Sequence, residues 1–182
     1  MLQSLRLLNP LVRISDEAEA RAAARAGAVA LFLMAAMSVV GIATQLLDDT
    51  WARVMRASFA MSEAANPDSA GLGEAMMPFI LGLSVFMSVA FGVGYLVLGV
   101  VQWKKQTRVS PPVLLLLVAC FVLAATFSRF VGPTAAIAEM LVPLWRWVLS
   151  MAVNLVMLTL FIVGFRGGTF LNKLRGPAPA NA

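Results

Sequence analysis

Few side chains in this sequence could do chemistry, and the polar ones inside apolar stretches are the most informative. Asn154 lies near the middle of the last long apolar stretch. A polar group in hydrocarbon is costly, so it is normally satisfied by a neighbouring helix or used in function. We favour the first role, a hydrogen bond between helices. A permeation or substrate site is the alternative.

Two arginines and one glutamate near the ends of apolar stretches could form an ion pair. Arg146 stands between Trp145 and Trp147, and indole rings are typical of the membrane–water interface. Glu139 precedes Arg146 by two helical turns and would share its helix face. Arg129 is the other candidate partner of Glu139. The pattern favours an interfacial ion pair or anchor, and an anion-binding site is the alternative.

The residue types that most enzymes and metal sites need are missing from the sequence. It has no histidine and one cysteine, which excludes the common zinc sites, haem ligation by histidine and an intramolecular disulfide. It also lacks Gly-x-Ser-x-Gly, a phosphate-binding glycine loop and His-Glu-x-x-His. The 11 methionines could suggest copper, but methionine commonly fills apolar helix packing. We therefore predict that the protein is not an enzyme and has no catalytic, cofactor-binding or metal-binding residues.

The composition predicts an all-α polytopic membrane protein. Apolar residues make up 60% of the 182, against about 45–50% in soluble domains. A helix needs about 20 mainly apolar residues to cross the hydrocarbon core. Four stretches meet this requirement and predict a transmembrane domain at 27–165 with four helices, at about 27–47, 78–101, 111–131 and 141–165.

The remaining chain is predicted to lie outside the bilayer as an N-terminal segment, 1–26, and a tail, 166–182. Ser15 precedes acidic residues and predicts a capped, alanine-rich helix ahead of the first span. Residues 1–14 have the apolar spacing of a second surface helix. Gly167 and Gly168 predict the end of the last helix. The tail after them is predicted to be basic and then disordered.

The segment between the first two spans predicts a short helix on the outer membrane surface. A helical wheel separates its apolar side chains from its charged ones: Trp51, Val54, Met55 and Phe59 on one face, and Arg53, Arg56 and Glu63 on the other. The pattern is typical of an amphipathic interfacial helix of about 12 residues. It would either cap the helix bundle or offer a docking surface.

The basic residues predict the orientation of the spans. One side would carry the bases before span one, between spans two and three, and after span four: Arg6, Arg13, Arg21, Arg25, Lys104, Lys105, Arg108, Arg166, Lys173 and Arg175. The other side would receive only Arg53, Arg56, Arg129 and Arg146. Because lysine and arginine favour the cytoplasmic side, we expect both termini in the cytoplasm. The net charge of +5 is then an orientation signal, and nucleic acid is not an expected partner.

Small residues in the second span predict close helix packing. Ser84, Ser88 and Gly92 recur every four residues, which lets another helix approach closely where lipid offers no hydrophobic drive. The adjoining face also carries small residues: Gly82, Ala90 and Gly94. The contact could lie within the chain or between copies.

The end of the last span carries the sequence Phe165-Arg-Gly-Gly-Thr-Phe170, followed by Lys173-Leu-Arg175. This ending resembles the tail of small bacterial four-helix inner-membrane proteins with an Arg-Gly-Thr-Phe-type segment after the last span. Here an extra glycine interrupts the pattern, and the aromatic–histidine pair that often follows it is absent. The resemblance implies a bacterial inner-membrane location and a four-helix topology, but no activity.

These observations favour a non-enzymatic accessory or structural subunit of the bacterial inner membrane. Its partners would be the lipid bilayer and either other membrane subunits or further copies of itself. The alternative is a small oligomeric channel or transporter, with Asn154 and the pair Arg146 and Glu139 lining its path.

Overall fold

The computed structural model describes residues 12–69, 71–131, 143–174 and 176, and in these ranges the chain is helical. Five α-helices follow one another: α1 (Glu17–Leu47), α2 (Thr50–Ala65), α3 (Leu72–Lys105), α4 (Ser110–Phe130) and α5 (Leu144–Leu174). A 3-10 turn, Pro67–Ser69, follows α2. No strand occurs in these ranges. The all-α prediction is confirmed.

Four of the described helices are long and apolar enough to cross a membrane, namely α1, α3, α4 and α5. The shortest of them, α4, has 21 residues, and about 20 suffice to cross the hydrocarbon core. The predicted number of candidate spans is confirmed. The remaining helix, α2, has 16 residues and occupies the segment in which the sequence predicted a short helix.

The first helix begins well before the predicted span because its start is capped by acidic side chains. Asp16 Oδ1 accepts a hydrogen bond from the Glu19 backbone N–H at 2.7 Å. The Glu19 carboxylate accepts one from the Ser15 hydroxyl at 2.7 Å and one from the Ser15 N–H at 2.9 Å. The capping acceptor is therefore Asp16 and not, as predicted, the hydroxyl of Ser15. The alanine-rich segment is the first part of α1.

The last helix continues past Gly167 and Gly168 to Leu174, so the prediction that these glycines end it is wrong. A Cβ added to Gly167 would overlap the backbone N of Ala24, and one added to Gly168 would lie 3.0 Å from the Thr107 carbonyl oxygen. Glycine inside a helix costs about 0.5–1 kcal/mol relative to alanine. At Gly167 the missing side chain permits a backbone contact that a Cβ would block, and at Gly168 it permits a close approach to the turn that contains Thr107.

Three predictions concern residues outside the described ranges. These are the surface helix predicted within residues 1–14, of which only 12–14 are described, the position of Glu139, and the disorder predicted for the end of the tail, of which 175 and 177–182 are not described.

The contacts divide the chain into two compact units. Unit one contains the described parts of Met1–Met34, Gly94–Phe121 and Ala152–Ala182. Unit two contains those of Ala35–Val93 and Val122–Met151.

Unit one is built on a close approach of α1 and α5 through small residues. Ala20 and Ala24 are fully buried, and they pack against Leu171 of α5. A Cβ added to Gly164 would lie 2.7 Å from the Cα of Gly27. The two backbones are therefore in direct contact along this alanine–glycine seam, defined by Ala20, Ala24, Gly27, Gly164 and Gly167.

Unit two has fewer buried apolar side chains than unit one. Of its described apolar side chains, only Ala35 and Met77 are buried. A polar contact joins α1 to α3 in this unit: the Ser84 hydroxyl donates a hydrogen bond to Gln45 Oε1 at 3.3 Å. Glu63, near the end of α2, accepts hydrogen bonds from the backbone N–H groups of Gly71 and Gly73 at 3.1 and 3.4 Å. These contacts fix the connection between α2 and α3.

The seam of unit one predicts a steep penalty for added side-chain volume. Gly164→Ala and Gly167→Ala each place a methyl group against backbone atoms, which cannot move aside as a flexible side chain can. We expect each to lower the free energy of unfolding by about 1–3 kcal/mol. The control is Gly41→Ala on α1, where an added Cβ meets no atom within 4 Å in the part of the chain that the structure describes. Thermal unfolding of the purified protein in detergent should separate the three variants, and equal midpoints would contradict the seam.

Candidate functional site

Unit one contains a buried polar centre on Gln102, near the end of α3. Gln102 has no exposed surface. Its Nε2 donates to the carbonyl oxygens of Thr107 at 3.0 Å and Ala24 at 3.5 Å. Its Oε1 accepts from the hydroxyls of Thr107 at 2.9 Å and Ser110 at 2.7 Å. The amide thus has its full set of partners, which is the condition for burying it without a large penalty.

This centre holds the turn between α3 and α4 against α1. The turn includes Gln106, which is 8% exposed and has a positive φ of 50°. A non-glycine residue in that conformation persists only where its surroundings hold it. Sequence reasoning missed Gln102, and the available signal was the set of hydrogen-bonding residues at 102, 107 and 110 around the end of a span. The arrangement serves the structure, since both the Nε2 and the Oε1 atoms of Gln102 already have their hydrogen-bond partners within the chain.

Asn154 lies on the part of α5 that belongs to unit one. It is 6% exposed and interacts with a neighbouring group. The role in holding helices together that the sequence favoured for Asn154 stays a prediction.

Arg146 and the other candidate ion-pair residues lie in unit two or outside the described ranges. The Nη1 atom of Arg146 is 2.6 Å from Oδ2 of Asp48, at the end of α1, and its guanidinium carbon lies 5.8 Å from the centre of the Trp145 ring. Sequence reasoning did not consider Asp48, because the two residues are distant along the chain. Glu139 is outside the described ranges, and Arg129 is 9% exposed and has interactions of its own.

Two of the three predicted packing residues of α3 face α1 in unit two. Ser84 bonds to Gln45, and a Cβ added to Gly92 would lie 3.2 Å from the Cβ of Ser38. Ser88 donates to the Ser84 carbonyl oxygen of its own helix at 2.9 Å. This part of the small-residue stripe is used within the chain.

A cleft of about 300 Å³ opens in unit one beside the last turns of α5. Three basic residues line it: Arg13, Arg166 and Lys173. Its other lining residues are Ile14, Phe165, Thr169 and Phe170. Nη2 of Arg166 donates a hydrogen bond to the Val12 carbonyl oxygen at 2.7 Å, which joins α5 to the segment before α1. The site combines apolar and cationic surfaces.

No group of three His, Cys, Asp or Glu close enough to hold a metal ion occurs among the described residues. No family model matches the chain, and comparison with curated proteins and with solved structures found no match. Functional inference therefore depends on the geometry of the chain itself.

The contact between Arg146 and Asp48 predicts measurable energetic coupling. Both side chains are partly exposed, at 34% and 30%, so we expect about 0.5–1 kcal/mol from a double-mutant cycle of Asp48→Asn and Arg146→Gln. The measurement is the unfolding free energy in detergent at low salt. A cycle of Arg146→Gln with Asp49→Asn, the exposed neighbouring acid, is the matched control and should give no coupling. Zero coupling to Asp48 would contradict the ion pair.

Proposed function

We propose that the chain is a multi-pass protein of the bacterial inner membrane that serves as a non-enzymatic accessory or structural subunit. Its four long apolar helices would span the bilayer, and one face of α3 would pack against another membrane protein or a second copy of the chain. The observation that carries the proposal is the uneven burial of these four helices.

The burial of the candidate spans falls into two groups. In an apolar 18-residue stretch of each helix, 39% is buried in α1 and in α5, 17% in α4 and only 6% in α3. The exposed side chains of α3 include large apolar ones such as Phe79, Phe86 and Leu96. In water, a protein with so large an exposed apolar surface would tend to aggregate. Lipid, or a further apolar helix, is the environment that suits it.

A partner for α3 is supported by small residues that the described part of the chain leaves uncovered. A Cβ added to Gly82 meets no atom of a described residue within 4 Å, and Ala90 is exposed, whereas Ser84 and Gly92 on the other face contact α1. Small residues at helical spacing let a second helix come close enough for strong van der Waals contact in lipid. The two faces of α3 in unit two would thus serve different contacts, one internal and one external.

Both termini would be cytoplasmic under this proposal. Described bases at one end of the spans include Arg21, Arg25, Lys104, Lys105 and Arg166, and positive residues favour the cytoplasmic side. The α2 segment would lie on the opposite side, where its apolar residues can enter the membrane interface.

Co-purification tests the accessory role. A tagged full-length chain, extracted from native membranes in mild detergent, should carry a second membrane protein or a second copy with it. Gly82→Leu fills the open face and should reduce the recovered partner at least several-fold. Gly41→Leu, an identical change at another open position, should leave it unchanged. A monomeric chain without any partner would contradict the proposal.

The same preparation distinguishes the channel alternative. A homo-oligomer that conducts a solute in liposomes, and loses that flux on Asn154→Leu without unfolding, would favour a channel or transporter over an accessory subunit.

The topology has its own test. A reporter fused after Ala182 should be active in the cytoplasm, because the positive-inside rule places the tail there. A reporter inserted in the turn Pro67–Ser69 should give the opposite result. An extracytoplasmic signal from the Ala182 fusion would reverse the proposed orientation.

A further inference from the structure

We propose that the cleft beside the end of α5 binds an anionic phospholipid. The phosphate of the headgroup would lie among Arg13, Arg166 and Lys173, and an acyl chain would follow Phe165 and Phe170. This inference rests on the proposed insertion of the four helices in a bilayer, but not on the identity of any protein partner.

The three positive charges of the cleft favour binding of an anion from outside the chain. None of its lining residues is acidic, and within the described ranges the side chains of Arg13 and Lys173 form no ion pair or hydrogen bond. A guanidinium has five N–H donors, and Val12 accepts only one hydrogen bond from Arg166. Residues 1–11 and 177–182 contain no aspartate or glutamate that could compensate. Like charges held together in this way favour a phosphate-bearing ligand.

The remaining lining residues suit a lipid better than a small soluble anion. Phe165 and Phe170 offer apolar surface next to the bases, as an amphipathic ligand requires. Basic pockets beside the ends of transmembrane helices are a known mode of anionic-lipid recognition.

The position of the cleft along α5 matches the depth of lipid headgroups. The 31 residues of α5 would extend about 46 Å, whereas the hydrocarbon core is about 30 Å thick. The surplus of about 16 Å places a helix end in the headgroup region. Arg166 to Lys173 occupy the last turns of the helix. Phe165, Thr169 and Lys173 are four residues apart and so lie on one face of α5. Along this face, Phe165 would be nearest to the hydrocarbon core of the bilayer and Lys173 farthest from it.

Lipid titration of the purified full-length protein in detergent, followed by native mass spectrometry, tests this inference. Phosphatidylglycerol should be retained in preference to phosphatidylcholine with the same acyl chains. The double variant Arg13→Gln/Lys173→Gln should bind phosphatidylglycerol about tenfold more weakly, because each base near a membrane surface contributes to anion attraction. Its unfolding midpoint without lipid should match that of the unchanged protein, since both side chains are exposed and make no hydrogen bond with another described residue.

The matched control is Lys104→Gln/Lys105→Gln, which removes the same charge from the end of α3 without touching the cleft. It should keep the affinity of the unchanged protein. Equal weakening in both double variants, or equal retention of the two lipids, would overturn the inference. Competition by millimolar inorganic phosphate alone would indicate a site for a soluble anion and would overturn it as well.

The outcome is separable from that of the proposed function. A chain that needs detergent and carries a protein partner, yet retains no phosphatidylglycerol, would refute only the lipid site. A chain that stays dispersed without detergent would refute the membrane proposal itself.

Discussion

The structure of unit one depends on the direct contact between the backbones of α1 and α5. Inside a bilayer, two apolar helices gain nothing from leaving lipid for each other unless they pack more closely than lipid chains can. The alanine–glycine seam provides that closeness, because Gly164 and Gly167 have no side chain to hold the α1 backbone away. Larger side chains on the same two helices, such as those of Phe161 and Leu31, are fully buried as well. A small change in volume at the seam therefore acts on the whole unit.

The same contact determines where the polar groups of unit one can be buried. It places the Ala24 carbonyl oxygen within reach of Gln102, and it places Gly168 against the turn that contains Thr107. The turn is thereby enclosed by three helices, and Gln102 supplies the hydrogen bonds that its backbone and hydroxyls would otherwise take from water. A buried amide with all its partners present specifies one arrangement, because any shift of α1 or α4 would leave a donor or acceptor unpaired.

Hydropathy was sufficient to predict the number of long helices, because the hydrocarbon thickness constrains length and composition together. It could not predict which small residues form the internal contact. Ser84 and Gly92 were indistinguishable in the sequence from Gly164 and Gly167, and only the arrangement of the helices assigns each a neighbour. The prediction that Gly167 and Gly168 end the last helix relied on the local preference of glycine for helix ends. Packing against α1 and against the turn that contains Thr107 outweighs that preference here. The pairing of Arg146 with Asp48 was missed for a similar reason, since only neighbours in sequence were considered.

The open face of α3 is best understood by comparing what lipid and protein can gain from it. Lipid chains accept large exposed side chains such as Phe79 and Phe86 without penalty, but they gain little from a glycine. Gly82 nevertheless lies within the helix, where it is less favourable than alanine by about 0.5–1 kcal/mol. The seam of unit one shows how this chain compensates for such a cost, namely by close contact with another backbone. Under the proposed packing of α3 against a partner, a helix from outside the described part of the chain would supply the same compensation at Gly82.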